Sequence, residues 1–178
     1  MRVINVHERE LLATPEQVGA LIDSLASDED ALWPNHSWPR MAFDRPLCVG
    51  ATGGHGPVRY FVGEYVPGQA IRFHFTGPKG FSGYHGYEMV RKTERSVILR
   101  HTLKMTTSGP AVLSWPVVFR PLHDALLEDS LATAQASLGQ PPQMRAWSPW
   151  VKFVRWVLSA GKARAQVTAN RSRRLLRT

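Results

Sequence analysis

The sequence predicts an α+β fold in which a curved antiparallel sheet wraps around one long C-terminal helix. Three observations carry this. Runs rich in β-branched and aromatic residues, separated by Gly and Pro turns, fill the middle of the chain from about Met41 to Thr106. From about Ala111 to Leu138 the pattern changes to helical spacing, with Val118, Leu122 and Leu126 along one side. A long helix that follows six or more antiparallel strands has the concave face of their sheet to cover.

Taken in order, Val3 to Glu8 reads as a first strand. Thr14-Pro15-Glu16-Gln17 then supplies an N-cap, a proline at the first helical position and a glutamine at the third. Val18, Leu21, Ile22 and Leu25 share one face of the helix this starts. Ser27 with Asp30 predicts a second short helix running to Trp33-Pro34. Strands follow at Met41 to Phe43, Leu47 to Val49, Pro57 to Val66, Gln69 to Thr76, Gly83 to Arg91 and Ser96 to Thr106, with Pro67-Gly68 as a tight turn. In the last of these Val97, Leu99, His101, Leu103 and Met105 share one face, which predicts one buried and one wet side. Pro116 and Pro121 predict irregular first turns in the long helix, and Gly139 with Pro141-Pro142 ends it.

These boundaries divide the chain into a domain over 1–139 and a basic amphipathic extension over 140–178. With 178 residues, 43% hydrophobic and 20% charged, the chain suits one globular domain. The net charge of +8 is unevenly placed. Nine of the 22 Lys and Arg residues lie from Gln140 onward, where there is no Asp or Glu, so the body is near neutral. The single Cys48 forms no internal disulfide, no run of 18 apolar residues occurs, and MRVINVHERE does not read as a secretory signal. The expected location is the cytoplasm, peripheral at a membrane if the extension binds one.

The segments GGHGPVRYFVGEYVPGQAIRFHFTGPKGF (53–81), GYHGYEMV (83–90) and ILRHTLKM (98–105), in this order of elements, resemble the START-like superfamily. That group is also called polyketide cyclase/dehydrase, Bet v 1-like or SRPBCC. The resemblance spans roughly residues 2 to 139 and implies a helix-grip fold with a deep, largely apolar cavity between sheet and long helix. It brings no shared catalytic constellation, so no catalytic residue is assigned.

Candidate cavity residues are Glu64, Phe73, His85, Tyr87 and His101. His85, Tyr87 and Met89 alternate on one strand, and His101 lies among apolar neighbours on the next. Either these groups line an apolar chamber, as ligand orientation or proton transfer requires, or each imidazole is hydrogen-bonded in the core or at its rim. Glu64 follows Val58, Tyr60 and Val62 in alternation; it needs a partner if it is inside, and none if the nearby Pro67-Gly68 turn keeps it in water. His123, Asp124, Glu128 and Asp129 read as a solvated helix face, with His123 and Asp124 diverging as consecutive helical residues do. His36, His55, His74, His85, His101 and His123 are scattered, with neither an HExxH pattern nor a cysteine pair, so neither a metal nor another cofactor is expected. Gly50 to Gly56 lacks the lysine and hydroxyl of a phosphate loop and reads as a hairpin connection.

In the extension, Ser148-Pro149 starts a helix whose broad apolar face includes Trp150, Val151, Phe153, Val154, Val157 and Leu158. Trp147, Trp150, Lys152, Phe153, Arg155 and Trp156 suit an anionic membrane surface. Packing on the domain or a second subunit accounts for the same pattern, and nucleic-acid binding is disfavoured because no aromatic-basic platform or recognition helix is present. The function expected is binding or transport of a hydrophobic small molecule, such as a lipid, isoprenoid or polyketide. The alternatives are an aromatase/cyclase-type enzyme and a membrane-associated interaction module. No oligomeric state follows from the sequence.

Overall fold

The computed structural model describes residues 1–159. Strand β1 (Arg2–Leu11) leads to α1 (Pro15–Asp23), then to β2 (Ala42–Phe43), β3 (Thr52–His55), β4 (Val58–Val66), β5 (Ala70–Gly77), β6 (Phe81–Thr93) and β7 (Ser96–Thr107). All seven join one antiparallel sheet in the order β1-β7-β6-β5-β4-β3-β2. Only the β1/β7 neighbours are distant in sequence; the rest is a meander. A continuous helical stretch then runs through α2 (Ala111–Ser114), a π-helical turn (Trp115–Phe119) and α3 (Arg120–Ser137).

Local chemistry sets the helix ends. Thr14 Oγ1 accepts from Gln17 N while Gln17 Oε1 accepts from Thr14 N, a complete capping box with Pro15 inside it. The α1 helix lies against the turn after β4 at Gly19, where a Cβ would stand 2.4 Å from the Gly68 carbonyl oxygen. Asp23 fastens the same junction by accepting from Gly68 N at 2.8 Å and Tyr65 Oη at 2.9 Å. The irregularity expected from Pro116 and Pro121 takes the form of the π turn. Pro121 has no amide hydrogen to give the preceding turn, and Arg120 N–H reaches five residues back to Trp115 O.

Three local expectations are corrected. The stretch 27–33 is a series of turns and not a second helix, because the Asp30 carboxylate binds the amides of Ala26, Leu32 and Trp33 and so competes with helical bonding. Leu47 to Val49 is not a strand. Part of the Gly50 to Gly56 connection is one: Gly53 and Gly54 run in β3 because the neighbouring backbone is too close for side chains, with a Cβ at Gly53 only 2.1 Å from Ala42 O.

The inner face of the sheet carries Tyr60, Val62, Ile71, Phe73, His85, Tyr87, Val97, Leu99, His101 and Leu103, all buried. From the other side α3 contributes Leu126, Leu127, Leu131 and Ala134. At one end Phe81, Met105, Ala111 and Trp115 form an apolar cluster with Phe75 and Phe119 against it. The first compact unit extends to Arg145, six residues beyond the sequence boundary, and a second begins at Ala146. Gln140 carries the chain past that boundary: its amide exchanges two 3.3 Å bonds with the backbone of Leu12, and Gln143 N donates to Gln135 Oε1.

Candidate functional site

The interior between sheet and α3 is built from rings. Period-two alternation puts His85 and Tyr87 on the inner face of β6 and His101 beside them on β7, through the pairs His85↔Leu103 and Tyr87↔His101. His85 Nδ1 is 3.2 Å from His101 Nε2. The His85 ring also meets Tyr60 (4.8 Å between centroids), Phe75 (4.9 Å) and Phe73 (5.2 Å). Tyr87 packs edge-on against His101 at 4.8 Å. Its hydroxyl is 2.8 Å from Ser130 Oγ; because Ser130 donates its own proton to Leu32 O, Tyr87 is the donor of this pair. On the far side His55 Nδ1 bonds to Tyr60 Oη at 2.9 Å under the Trp33 ring.

Burial keeps these groups uncharged. It lowers His85 and His101 well below the ordinary imidazole value, assisted by the other histidines nearby, and brings His55 down to about 3. The Tyr60 and Tyr87 phenols are pushed up for the same reason. Two buried nitrogens of this group, His85 Nε2 and His101 Nδ1, have no hydrogen-bond partner.

A second, polar cluster joins β1 to α3. The inward parity of β1 carries Asn5, His7 and Arg9 between buried Val3 and Leu11. Asn5 Nδ2 donates to Asp124 Oδ1 at 2.8 Å; His7 meets Asp124 Oδ1 through Nε2 (3.1 Å) and Glu128 Oε1 through Nδ1 (3.0 Å). Arg9 donates to Glu128 Oε2 and Gln135 Oε1, each at 2.9 Å. Burial works against charge on His7, but its bonds to the two carboxylates outweigh this and raise its pKa. Asp124 is likewise opposed by burial, and its contacts with His123, His7 and Asn5 hold it well below the carboxylate range.

The expectation of a solvated acidic face on the long helix is therefore overturned. His123 turns inward against His101 and Trp115, Glu128 serves His7 and Arg9, and buried Asp129 accepts from Trp38 Nε1 at 2.7 Å. Asp124 and Glu128 look like part of a solvated stripe in sequence because their partners on β1 are polar as well.

Of the cavity candidates, Phe73, His85, Tyr87 and His101 come together, with Phe73 stacked on Phe43 and tilted against Tyr60. Glu64 does not join them. A bulge between Val62 and Glu64 shifts the register by one residue, so Glu64 turns outward and pairs with Arg72 at 2.8 Å, its side chain 58% exposed. Arg59 also lies outside, on the carbonyls of Gly56 and Val58. On that outer face Arg72, Tyr84, Glu88 and Thr102 border a small pocket of about 50 Å3. Sequence reasoning missed His7, His55, Tyr60 and Ser130. For His7 the available signal was its parity with Val3 and Leu11.

In the second unit, residues 149–159 are helical. Trp150, Phe153 and Trp156 form a ladder of rings with centroids 5.6 and 6.2 Å apart, and all three are exposed, Trp156 by 64%. Lys152 is exposed too, and the Arg155 guanidinium lies 4.1 Å over the Trp147 ring. No helix among the described residues is long and apolar enough to cross a membrane.

No protein-family model matches the sequence, and no curated protein is significantly similar to it. Solved structures do match. A Thermobifida fusca protein aligns over 80% of this chain and 99% of its own at 14% identity, with a TM-score of 0.59. Norcoclaurine synthase from Thalictrum flavum, solved with dopamine and hydroxybenzaldehyde, aligns over 78% of this chain and 88% of its own at 13% identity and a TM-score of 0.58. The Bacillus cereus protein XoxI covers 76% of this chain and 96% of its own at 15% identity and a TM-score of 0.56. At such identities the likeness is one of architecture. With the curved seven-stranded sheet and the long helix that follows it, it shows that the chain has a Bet v 1-like helix-grip fold.

Proposed function

We propose that the domain binds a hydrophobic, ring-bearing small molecule between the sheet and α3, and binds it without transforming it. The observation that carries this reading is the pair of unpartnered nitrogens on His85 and His101. Where two neutral imidazoles share one hydrogen bond, one ring donates and the other accepts. The outer nitrogen of the donor ring is then an acceptor, and that of the acceptor ring is a donor. Whichever way the bond runs, the pair offers one donor and one acceptor to an otherwise aromatic interior. A planar apolar molecule with a hydroxyl or carbonyl at its edge satisfies both, and leaving them unsatisfied costs about 1–3 kcal/mol each.

The electrostatics favour binding over acid–base chemistry. His55 and His85 are pushed towards the neutral form and Tyr60 and Tyr87 towards the protonated form, so none of the four is poised to exchange a proton near neutral pH. Access is assigned to the end closed by Phe81, Trp115 and Phe119, where the π turn interrupts regular helical bonding. The test is a titration of the full chain with anilinonaphthalene sulfonate, followed by native mass spectrometry of the purified protein for a retained compound. One saturable site, weakened at least tenfold in His85→Leu, is expected. A folded protein with no saturable site, or with affinity unchanged in His85→Leu, overturns the reading.

A second reading concerns the extension, and its observation is the exposed Trp150, Phe153 and Trp156 ladder. We propose that this helix lies on an anionic lipid surface. Interfacial tryptophans would anchor it, and nine cationic residues without an acid from Gln140 onward supply the complementary charge, on the order of 1 kcal/mol for each one near the surface. Sedimentation with phosphatidylserine vesicles, against phosphatidylcholine alone, tests it. Equal binding to both lipids would remove it.

A further inference from the structure

Both ring nitrogens of His123 are buried and lack a hydrogen-bond partner, yet the ring stands beside a carboxylate and a second imidazole. His123 Nδ1 is 3.7 Å from Asp124 Oδ1, and His7 Nε2 is 3.1 Å from that same oxygen. One donor atom from each of His7, His123 and Asp124 falls within 4.8 Å of the others. In a tetrahedral zinc site with bonds of 2.0–2.1 Å, ligand atoms are about 3.3 Å apart. The two separations to Asp124 Oδ1, 3.1 and 3.7 Å, are thus close to that spacing before any metal draws the side chains in.

The surroundings supply what such ligands need. A ligating histidine generally gives its other ring N–H to a carboxylate, which orients the ring and fixes its tautomer. His7 Nδ1 meets Glu128 Oε1 at 3.0 Å, and Glu128 is itself held by Arg9 at 2.9 Å. With the proton on Nδ1, the lone pair of His7 Nε2 faces the Asp124 carboxylate, a contact that needs positive charge between the two groups. Asn5 Nδ2 orients Asp124 from the other side. Asp124 is 37% exposed, which gives an ion a route from solvent. A second proton on His7 also reconciles it with two carboxylates, but leaves both nitrogens of His123 without a role.

We propose that His7 Nε2, a ring nitrogen of His123 and a carboxylate oxygen of Asp124 form a three-ligand site for a divalent transition metal, with Glu128, Arg9 and Asn5 holding the ligands. Two imidazoles and one carboxylate suit an ion of borderline softness, Zn2+ foremost, and exclude Ca2+ and Mg2+, which take oxygen ligands. The solvent side of Asp124 leaves a coordination position open. This site lies at the β1/α3 seam and touches the ring-lined interior only where His123 packs on His101, 5.2 Å between centroids; the probe titration of His85→Leu and the zinc isotherm read the two sites separately.

The test uses the full chain after chelator treatment and dialysis. Co2+ is added as a spectroscopic stand-in, then Zn2+ by calorimetry. Expected are visible ligand-field bands saturating at one equivalent, their loss on adding Zn2+, and Zn2+ affinity at least a hundredfold weaker in His123→Ala. Glu128→Gln should weaken it ten- to a hundredfold, the range found for orienting carboxylates. His36→Ala, a change at an exposed histidine, should leave it unaltered. Asp124→Asn carries the same test if His123→Ala fails to fold, as judged by near-ultraviolet circular dichroism. An isotherm identical in wild type and either ligand variant, or no Zn2+ binding to the folded wild type at 100-fold excess, overturns the proposal and leaves a doubly protonated His7 as the account of the cluster.

Discussion

His85 Nδ1 and His101 Nε2 lie 3.2 Å apart on adjacent strands, so the tautomer of each ring dictates that of the other. This coupling is measurable without any ligand. His85→Leu strands His101 Nε2 while removing the unpartnered His85 Nε2, and His101→Leu strands His85 Nδ1 while removing the unpartnered His101 Nδ1; each is expected to cost about one net hydrogen bond, roughly 0.5–1.5 kcal/mol. The double variant should cost less than the sum, because two apolar side chains leave no stranded nitrogen. Urea denaturation of all four proteins closes the cycle, and additive costs would show that the bond contributes nothing.

Acid should destabilise the domain early. The unfolded chain protonates His55 and His85 near 6.5, whereas the native interior lowers both, His55 to about 3. The unfolded state therefore binds more protons below 6.5. Stability held above that pH is lost as pH falls, by about 1.4 kcal/mol per unit for each histidine. Urea midpoints at pH 7, 6 and 5 should decline steadily in wild type and less steeply in His55→Phe. A flat profile would mean that these rings are charged in the native state.

Glu64→Ala should leave probe binding unchanged and shift stability by no more than about 1 kcal/mol, as expected of an exposed ion pair. Loss of anilinonaphthalene sulfonate binding in this variant would place the carboxylate inside.

Gly19→Ala should be disproportionately harmful for a helix position at which alanine is the better helix former. Its methyl meets the Gly68 carbonyl at 2.4 Å, and backbone cannot swing aside as a flexible side chain does. A melting temperature at or above that of wild type would show that α1 is free to shift.

Trp156→Ser should weaken association with phosphatidylserine vesicles while leaving the domain's unfolding midpoint unchanged. Raising salt should weaken the wild type in the same assay, since surface charge is screened over about 10 Å at 0.1 M. Salt-insensitive binding would count against the electrostatic half of that reading.

The fold was legible wherever local chemistry and burial agree. The Thr14 capping box, the alternation through β7 and the prolines in the first turns of the long helical stretch each predict the element that is found. Where they disagree, sequence misleads. Ser27 and Asp30 look like a helix start until the Asp30 side chain takes the amides for itself. Glu64 follows an inward series until one extra residue reverses it. The β1/α3 cluster was illegible for a different reason: pattern reading treats polar residues as solvent-facing, and here two polar stripes cover each other. Neither His7 nor Glu128 announces in its own segment that its partner lies 121 residues away.

The same stripes bear on how the molecule avoids its own kind. With β1 at the margin of the sheet, ten residues of strand have no strand neighbour along one side among the described residues. Asn5, His7 and Arg9 point beneath that strand and bond to Asp124, Glu128 and Gln135 of α3. A strand arriving from a neighbouring molecule would bring its own underside over that helix without such partners, and charges buried unpaired make the addition unfavourable. The network that seats α3 on the sheet is therefore expected also to disfavour edge-to-edge addition of further strands.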